Sequence, residues 1–65
     1  MIQVYFFCTM KMQEDVEQKA ILDGFRCEIR GRNVRVDFED EEEEELERLR
    51  SLLERYGCAW QEDED

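Results

Sequence analysis

The chain is 65 residues long with a formal net charge of −10, from 19 acidic against 9 basic side chains. That length bounds it to one small domain with a thin stability margin, and the charge repels nucleic acid and anionic membrane surfaces while favouring basic partners. An apolar fraction of 42%, with four Phe, two Tyr and one Trp, is too rich for a disordered acidic chain, so a folded core under an acidic coat is expected.

Ile2 to Met10 carries no charge. Ile2, Val4, Phe6, Cys8 and Met10 alternate with Gln3, Tyr5, Phe7 and Thr9, the period of a strand. Both phases are largely apolar, which predicts a central strand covered on both sides or nearly so. Gln13 to Asp23 reads as a short helix, with Val16, Ala20 and Ile21 at helical spacing and Gly24 as a left-handed cap. Glu14, Asp15 and Glu17 fall at its start, where the helix dipole favours anions.

Phe25 to Phe38 reads as a hairpin around Gly31-Arg32, a two-residue turn with Gly first. That register sets Ile29 against Val34, Cys27 against Val36 and Phe25 against Phe38 on one face. On the other it sets Glu28 against Arg35 and Arg26 against Asp37. A slip of one residue loses both the apolar ladder and the ion pairs. Asp40 is placed as the N-cap of a second helix, with Glu43 completing an acidic capping box. Leu46, Leu49, Leu53 and Tyr56 make its apolar stripe, with Leu52 at the edge, and Gly57 stops it after about 24 Å. Cys58-Ala59-Trp60-Gln61 either adds a short strand or packs Trp60 on the core. Residues 1–61 are expected as one domain and Glu62-Asp63-Glu64-Asp65 as a frayed acidic tail. The order β-α-β-β-α-(β) predicts an α+β domain with a small, mostly antiparallel sheet and two helices. A ferredoxin-like topology is one option, although the first helix and its loops are short for it.

Nine of the eleven residues from Asp37 to Glu47 are carboxylates and none is basic. Local helix physics accounts for part of this. Glu41, Glu42 and Glu43 gain from the dipole, and Glu44 can pair with Arg48 and Glu47 with Arg50. The rest is not explained by stability: Glu41 and Glu45 are like charges at i, i+4, Glu45 has Leu49 where a base would help, and Glu39 has no assigned base. Carboxylates three or four residues apart on a helix stand about 5–6 Å apart. Such an array suits the Lys and Arg side chains of a groove built for phosphates. Glu14, Asp15 and Glu17 extend it if the two helices share one side of the sheet.

Other constellations carry less. Arg26, Arg30, Arg32 and Arg35 crowd the hairpin, but two are paired in the proposed register. The run lacks the Gly and turn geometry of a calcium loop, so no dedicated metal site and no cofactor are expected. Exposed carboxylates in so small a domain offer no cleft for acid/base work, so no enzyme is expected. Cys8 and Cys27 fall on the inward phase of their strands, and Cys58 is the cysteine expected at the surface. Three scattered cysteines without His fit a reducing cytosol rather than a disulfide framework or zinc site. Met1-Ile2-Gln3-Val4 has no charged n-region, so no secretory leader is expected, and no run of about eighteen apolar residues spans a bilayer.

In its acidic helix, short α+β order and lack of catalytic motifs, the chain resembles the small acidic phage-encoded anti-CRISPR proteins. The likeness is to inhibitors of type I effectors, type I-C among them, and covers the chain as a profile. It implies a non-enzymatic, monomeric inhibitor in the cytoplasm of a bacterial host. Such an inhibitor binds a surveillance complex where that complex reads the PAM or holds target DNA, and touches no nucleic acid or membrane itself. The residues matching this DNA-mimic reading are Glu39, Asp40, Glu41, Glu42, Glu43, Glu44, Glu45 and Glu47. The competing reading is an acidic interaction module, such as an antitoxin or assembly subunit, binding through an apolar patch at Trp60 or the hairpin's free edge.

Overall fold

The alternation in the first segment forms strand β1, Ile2–Phe7. A computed structural model describes residues 1–64; Asp65, expected in the acidic tail, lies outside the described residues. The elements that follow are α1 (Met10–Gln13), α2 (Val16–Gly24), β2 (Arg26–Arg30), β3 (Asn33–Phe38), α3 (Glu43–Arg55) and β4 (Trp60–Glu64). The sheet order is β2-β3-β1-β4, with every neighbouring pair antiparallel. This is the α+β class and the element order expected, and its connectivity is the split βαβ, ferredoxin-like arrangement.

Val4, Phe6, Cys8, Val34, Val36 and Phe38 on one sheet face share a core with Met12, Ile21 and the leucines Leu46, Leu49, Leu52 and Leu53. The three helical segments therefore cover one face only. β1 is central, as its composition demands, but its second face is open. Gln3 and Tyr5 are partly exposed there and Phe7 is 54% exposed. Among the described residues no further helix lies over that side.

The first helix differs from its expected form. β1 ends at Phe7, because the Thr9 hydroxyl accepts from the Met12 N–H at 3.4 Å and starts a separate turn, α1. Asp15 then caps α2, its carboxylate accepting from the Glu17 N–H at 2.9 Å. The buried residues of α2 are Gln18 and Ile21, while Val16 is 79% exposed and Ala20 is exposed. The Asp15 carboxylate is also held by the Tyr56 hydroxyl and lies 3.9 Å from Arg55. This pins the helix start and turns the 18/21 stripe, not the 16/20 stripe, to the core. Gly24 is the last helical residue with no positive φ; extended Phe25 follows it directly into β2, so no reversal is required.

The hairpin register is as expected, with Ile29 opposite Val34, Cys27 opposite Val36, Glu28 opposite Arg35 and Arg26 opposite Asp37. The Phe25 and Phe38 rings stand 5.1 Å apart. Gly31 has φ +62 and Arg32 is not positive, the II′ pattern. Helix α3 ends in a Schellman motif: Gly57 (φ +65) donates to Glu54 O at 3.0 Å and Cys58 to Leu53 O at 2.9 Å. Glu62, Asp63 and Glu64 are not a frayed tail. They pair with β1 opposite Val4, Gln3 and Ile2, so the expected boundary at residue 61 falls inside a strand.

Candidate acidic interface

Helix α3 begins later than the capping pattern predicts. Glu42, not Asp40, is the N-cap, and it makes no side-chain bond to α3. Its carboxylate instead reaches back to the Glu39 N–H at 2.8 Å, while its own N–H donates to Glu39 O at 3.0 Å. Half of the reciprocal side-chain pair expected of Asp40 and Glu43 is thus made one residue earlier, by the Glu42 carboxylate on the Glu39 N–H; the return bond goes to the Glu39 backbone carbonyl. It closes the tight turn that carries Asp40 and Glu41. Glu41 therefore lies outside the helix, and its like-charge relation to Glu45 is not the helical one.

Five of the nine acids in the run are tied to the fold. Asp37 lies 3.3 Å from Arg35, Glu39 pairs with Arg26, Asp40 lies 3.6 Å from the N-terminal ammonium, Glu44 lies 3.7 Å from Arg48, and Glu47 pairs with Arg50. Two of these partners differ from expectation. Arg26 sits opposite Asp37 in the backbone, but its long side chain reaches past it to Glu39. Asp37 is left to Arg35, two residues back on its own strand. Glu42 is engaged by the turn. Glu41, Glu43 and Glu45 have no cationic partner among the described residues; the first two are exposed and Glu45 is partly buried. No ion pair holds these three, and they stand where the helix presents its positive end.

Sequence reasoning missed two neighbours of this cluster. Ile2 faces both Phe38 and Glu64 across the sheet. The last residues of β4 therefore stand at the sheet end from which the chain turns into α3. Asp63 and Glu64 are exposed there. Nothing local signals this, because an acidic run at the end of a chain looks like a tail until β4 docks on β1.

The helices do share one side of the sheet, yet Glu14, Asp15 and Glu17 do not join the cluster. Asp15 and Glu17 gather around Arg55 and Tyr56, at the far end of α3. That is about 20 Å from Glu43 along a 13-residue helix. Asp15 is occupied there: the Tyr56 hydroxyl holds its carboxyl below the usual range, and Asp15 in turn pushes the Tyr56 phenol up.

In the same half of α3, Arg50 bridges two elements. Its Nε donates to Glu62 at 2.7 Å, and a second nitrogen reaches Glu47. Glu62 also accepts from the Trp60 indole N–H at 2.7 Å. The Arg50 guanidinium first, and then the indole, hold the Glu62 carboxyl below its ordinary range.

The open sheet face forms a shallow groove of about 650 Å³ that includes Tyr5, Glu28, Arg30, Arg35 and Gln61. Its charges satisfy one another: Arg30 lies 2.8 Å and Arg35 3.2 Å from Glu28. Among the described residues, no three Cys, Asp or Glu side chains converge as metal ligands, and no helix is long and apolar enough to cross a membrane. The chain matches no family model, no curated protein and no solved structure.

Proposed function

We propose that this protein is a non-enzymatic acidic inhibitor that occupies a basic, DNA-binding surface of another protein. The single observation carrying this reading is that Glu41, in the closed turn before α3, and Glu43 and Glu45, in its first turn, have no cationic partner among the described residues, while the acids around them are bound into the fold. Side-chain anions held by a rigid element cost little ordering entropy on binding. Meeting a cationic groove, they gain attraction as phosphates do, and the binding carries the same steep salt dependence. Glu39, Asp40, Glu42, Glu44 and Glu47 surround the three and complete the acidic surface. Asp63 and Glu64 extend it, whereas Glu14, Asp15 and Glu17 fall outside it.

The narrower reading, a type I CRISPR surveillance complex as the target, rests on the resemblance in overall profile. The test is the variant E41K/E43K/E45K, measured for binding to such a complex in competition with duplex DNA. The fold should persist, since none of the three makes an ion pair among the described residues, and binding should be lost. Inhibition that survives this triple change, or binding indifferent to salt, rejects the reading. A second reading, an interaction module such as an antitoxin or assembly subunit, draws on Ile29, 55% exposed on the edge strand β2. It predicts a salt-insensitive interaction lost on Ile29→Asp and unaffected by the triple charge reversal.

A further inference from the structure

The pairing of β1 with β4 sets Ile2 opposite Glu64, Val4 opposite Glu62 and Phe6 opposite Trp60. Cys8 and Cys58 lie two residues beyond the last pair, just outside the paired strands, on the phase of this register that faces the helices. The path of β1 is held through Cys8, whose N–H donates to Arg32 O on the β2–β3 turn at 2.7 Å. Cys58 is held by the Schellman bond at the end of α3.

Two more groups meet here. The α1 turn sets the Met12 thioether sulfur 3.1 Å from the Cys58 sulfur. Gln18, on α2, is the one buried polar or charged side chain among the described residues, at 2% exposure. Its amide donates to the Cys8 sulfur at 2.9 Å, and its Oε1 has no partner. A buried amide carries a desolvation cost, and a thiol is a weak acceptor that compensates it poorly. A cysteine sulfur bound to a metal is a far better acceptor, and a donor to the ligand atom is what such sites commonly have around them.

We propose that Cys8, Cys58 and Met12 form a three-sulfur site for one monovalent copper ion. Two cysteine sulfurs and a thioether are soft ligands of the kind Cu(I) selects. Three sulfurs leave the tetrahedral set of a structural zinc site incomplete, and the chain has no His to finish it. Both cysteines bind as thiolates, so one Cu(I) enters and two protons leave to solvent. The unbranched Met12 side chain moves aside to admit the ion between the sulfurs. Cys58, partly exposed, is the way in, while Cys8 and Met12 are buried. Cys27 stands apart on β2, donating to Leu22 O at 3.4 Å, and serves as an internal control.

The test is an anaerobic titration of the reduced full chain with Cu(I), in competition with a chromogenic Cu(I) chelator. One ion per chain should bind, and Cys27→Ser should leave the affinity unchanged. Cys58→Ser should weaken it about 100-fold or more, and Met12→Leu and Gln18→Leu about tenfold each. If Cys8→Ser does not fold, Cys58→Ser and the volume-conserving Met12→Leu still decide the matter. The site is overturned by copper affinity that survives Cys58→Ser, or that falls equally with Cys27→Ser. Equal binding by the urea-unfolded chain, or a Cys8–Cys58 disulfide in place of the copper complex, overturns it as well.

Discussion

The two halves of helix α3 carry the same residue type to opposite ends. In the second half, Arg50 draws in Glu47 from the preceding turn and Glu62 from β4, and Arg55 reaches toward Asp15 and Glu17. Carboxylates there fasten the helix to β4 and α2. At the start, Glu41 in the turn before the helix and Glu43 and Glu45 in its first turn fasten nothing among the described residues. An acidic residue is thus not a solubility device or a binding device by type. Its role follows from whether the fold brings a cation beside it.

The comparison can be broken at its base. Leu49 is fully buried beneath the middle of α3. Leu49→Ala should cost about 2–5 kcal/mol and remove both halves in one transition, read by urea denaturation with two probes. Separate transitions would show that the halves are not one cooperative helix.

Smaller effects sharpen it. Arg50→Met should cost about 1 kcal/mol, modest because the guanidinium and Glu62 are both partly solvated. The pair also shapes the acid limb. The folded Glu62 carboxyl titrates below its unfolded value, so its stabilisation is complete above the unfolded value and is lost as pH falls through the folded one. Arg50→Met should therefore flatten the fall in melting temperature on acidification. Gly57→Ala, at φ +65 with open space around the added carbon, should cost about 1 kcal/mol from backbone strain alone. The smallest effect belongs to the free cluster. E41Q/E43Q/E45Q should change stability by less than about 0.5 kcal/mol, because lost dipole attraction and relieved repulsion oppose each other. A large loss there would mean that these side chains serve the fold after all.

The hairpin was legible because two independent patterns, apolar and ionic, agreed on one register. The stripe of α3 was legible because Leu46, Leu49 and Leu53 repeat at helical spacing, although Leu52, expected at its edge, is fully buried and Tyr56 only partly so. The short α2 has only nine residues and few apolar ones, so the tie of Asp15 to Tyr56, 41 positions away in the chain, set its phase. The free acids were legible in part. Helix spacing correctly joined Glu44 to Arg48 and Glu47 to Arg50. It missed Arg26 reaching Glu39, because an arginine is long enough to pass its backbone neighbour.

Short-range order in this protein is written in its residues: the period of β1, the glycine turn, the leucine stripe and the stop at Gly57 all act within a few positions. Long-range placement is not. β4 became a strand by docking on β1, Glu62 met Arg50 because that docking put them side by side, and the acids of α2 were carried to the far end because the helix runs back along the sheet. Charges attract over distances comparable to the domain itself, and pairing is decided by which elements end up adjacent. The carboxylates left over for a partner could be known only once those adjacencies were in place.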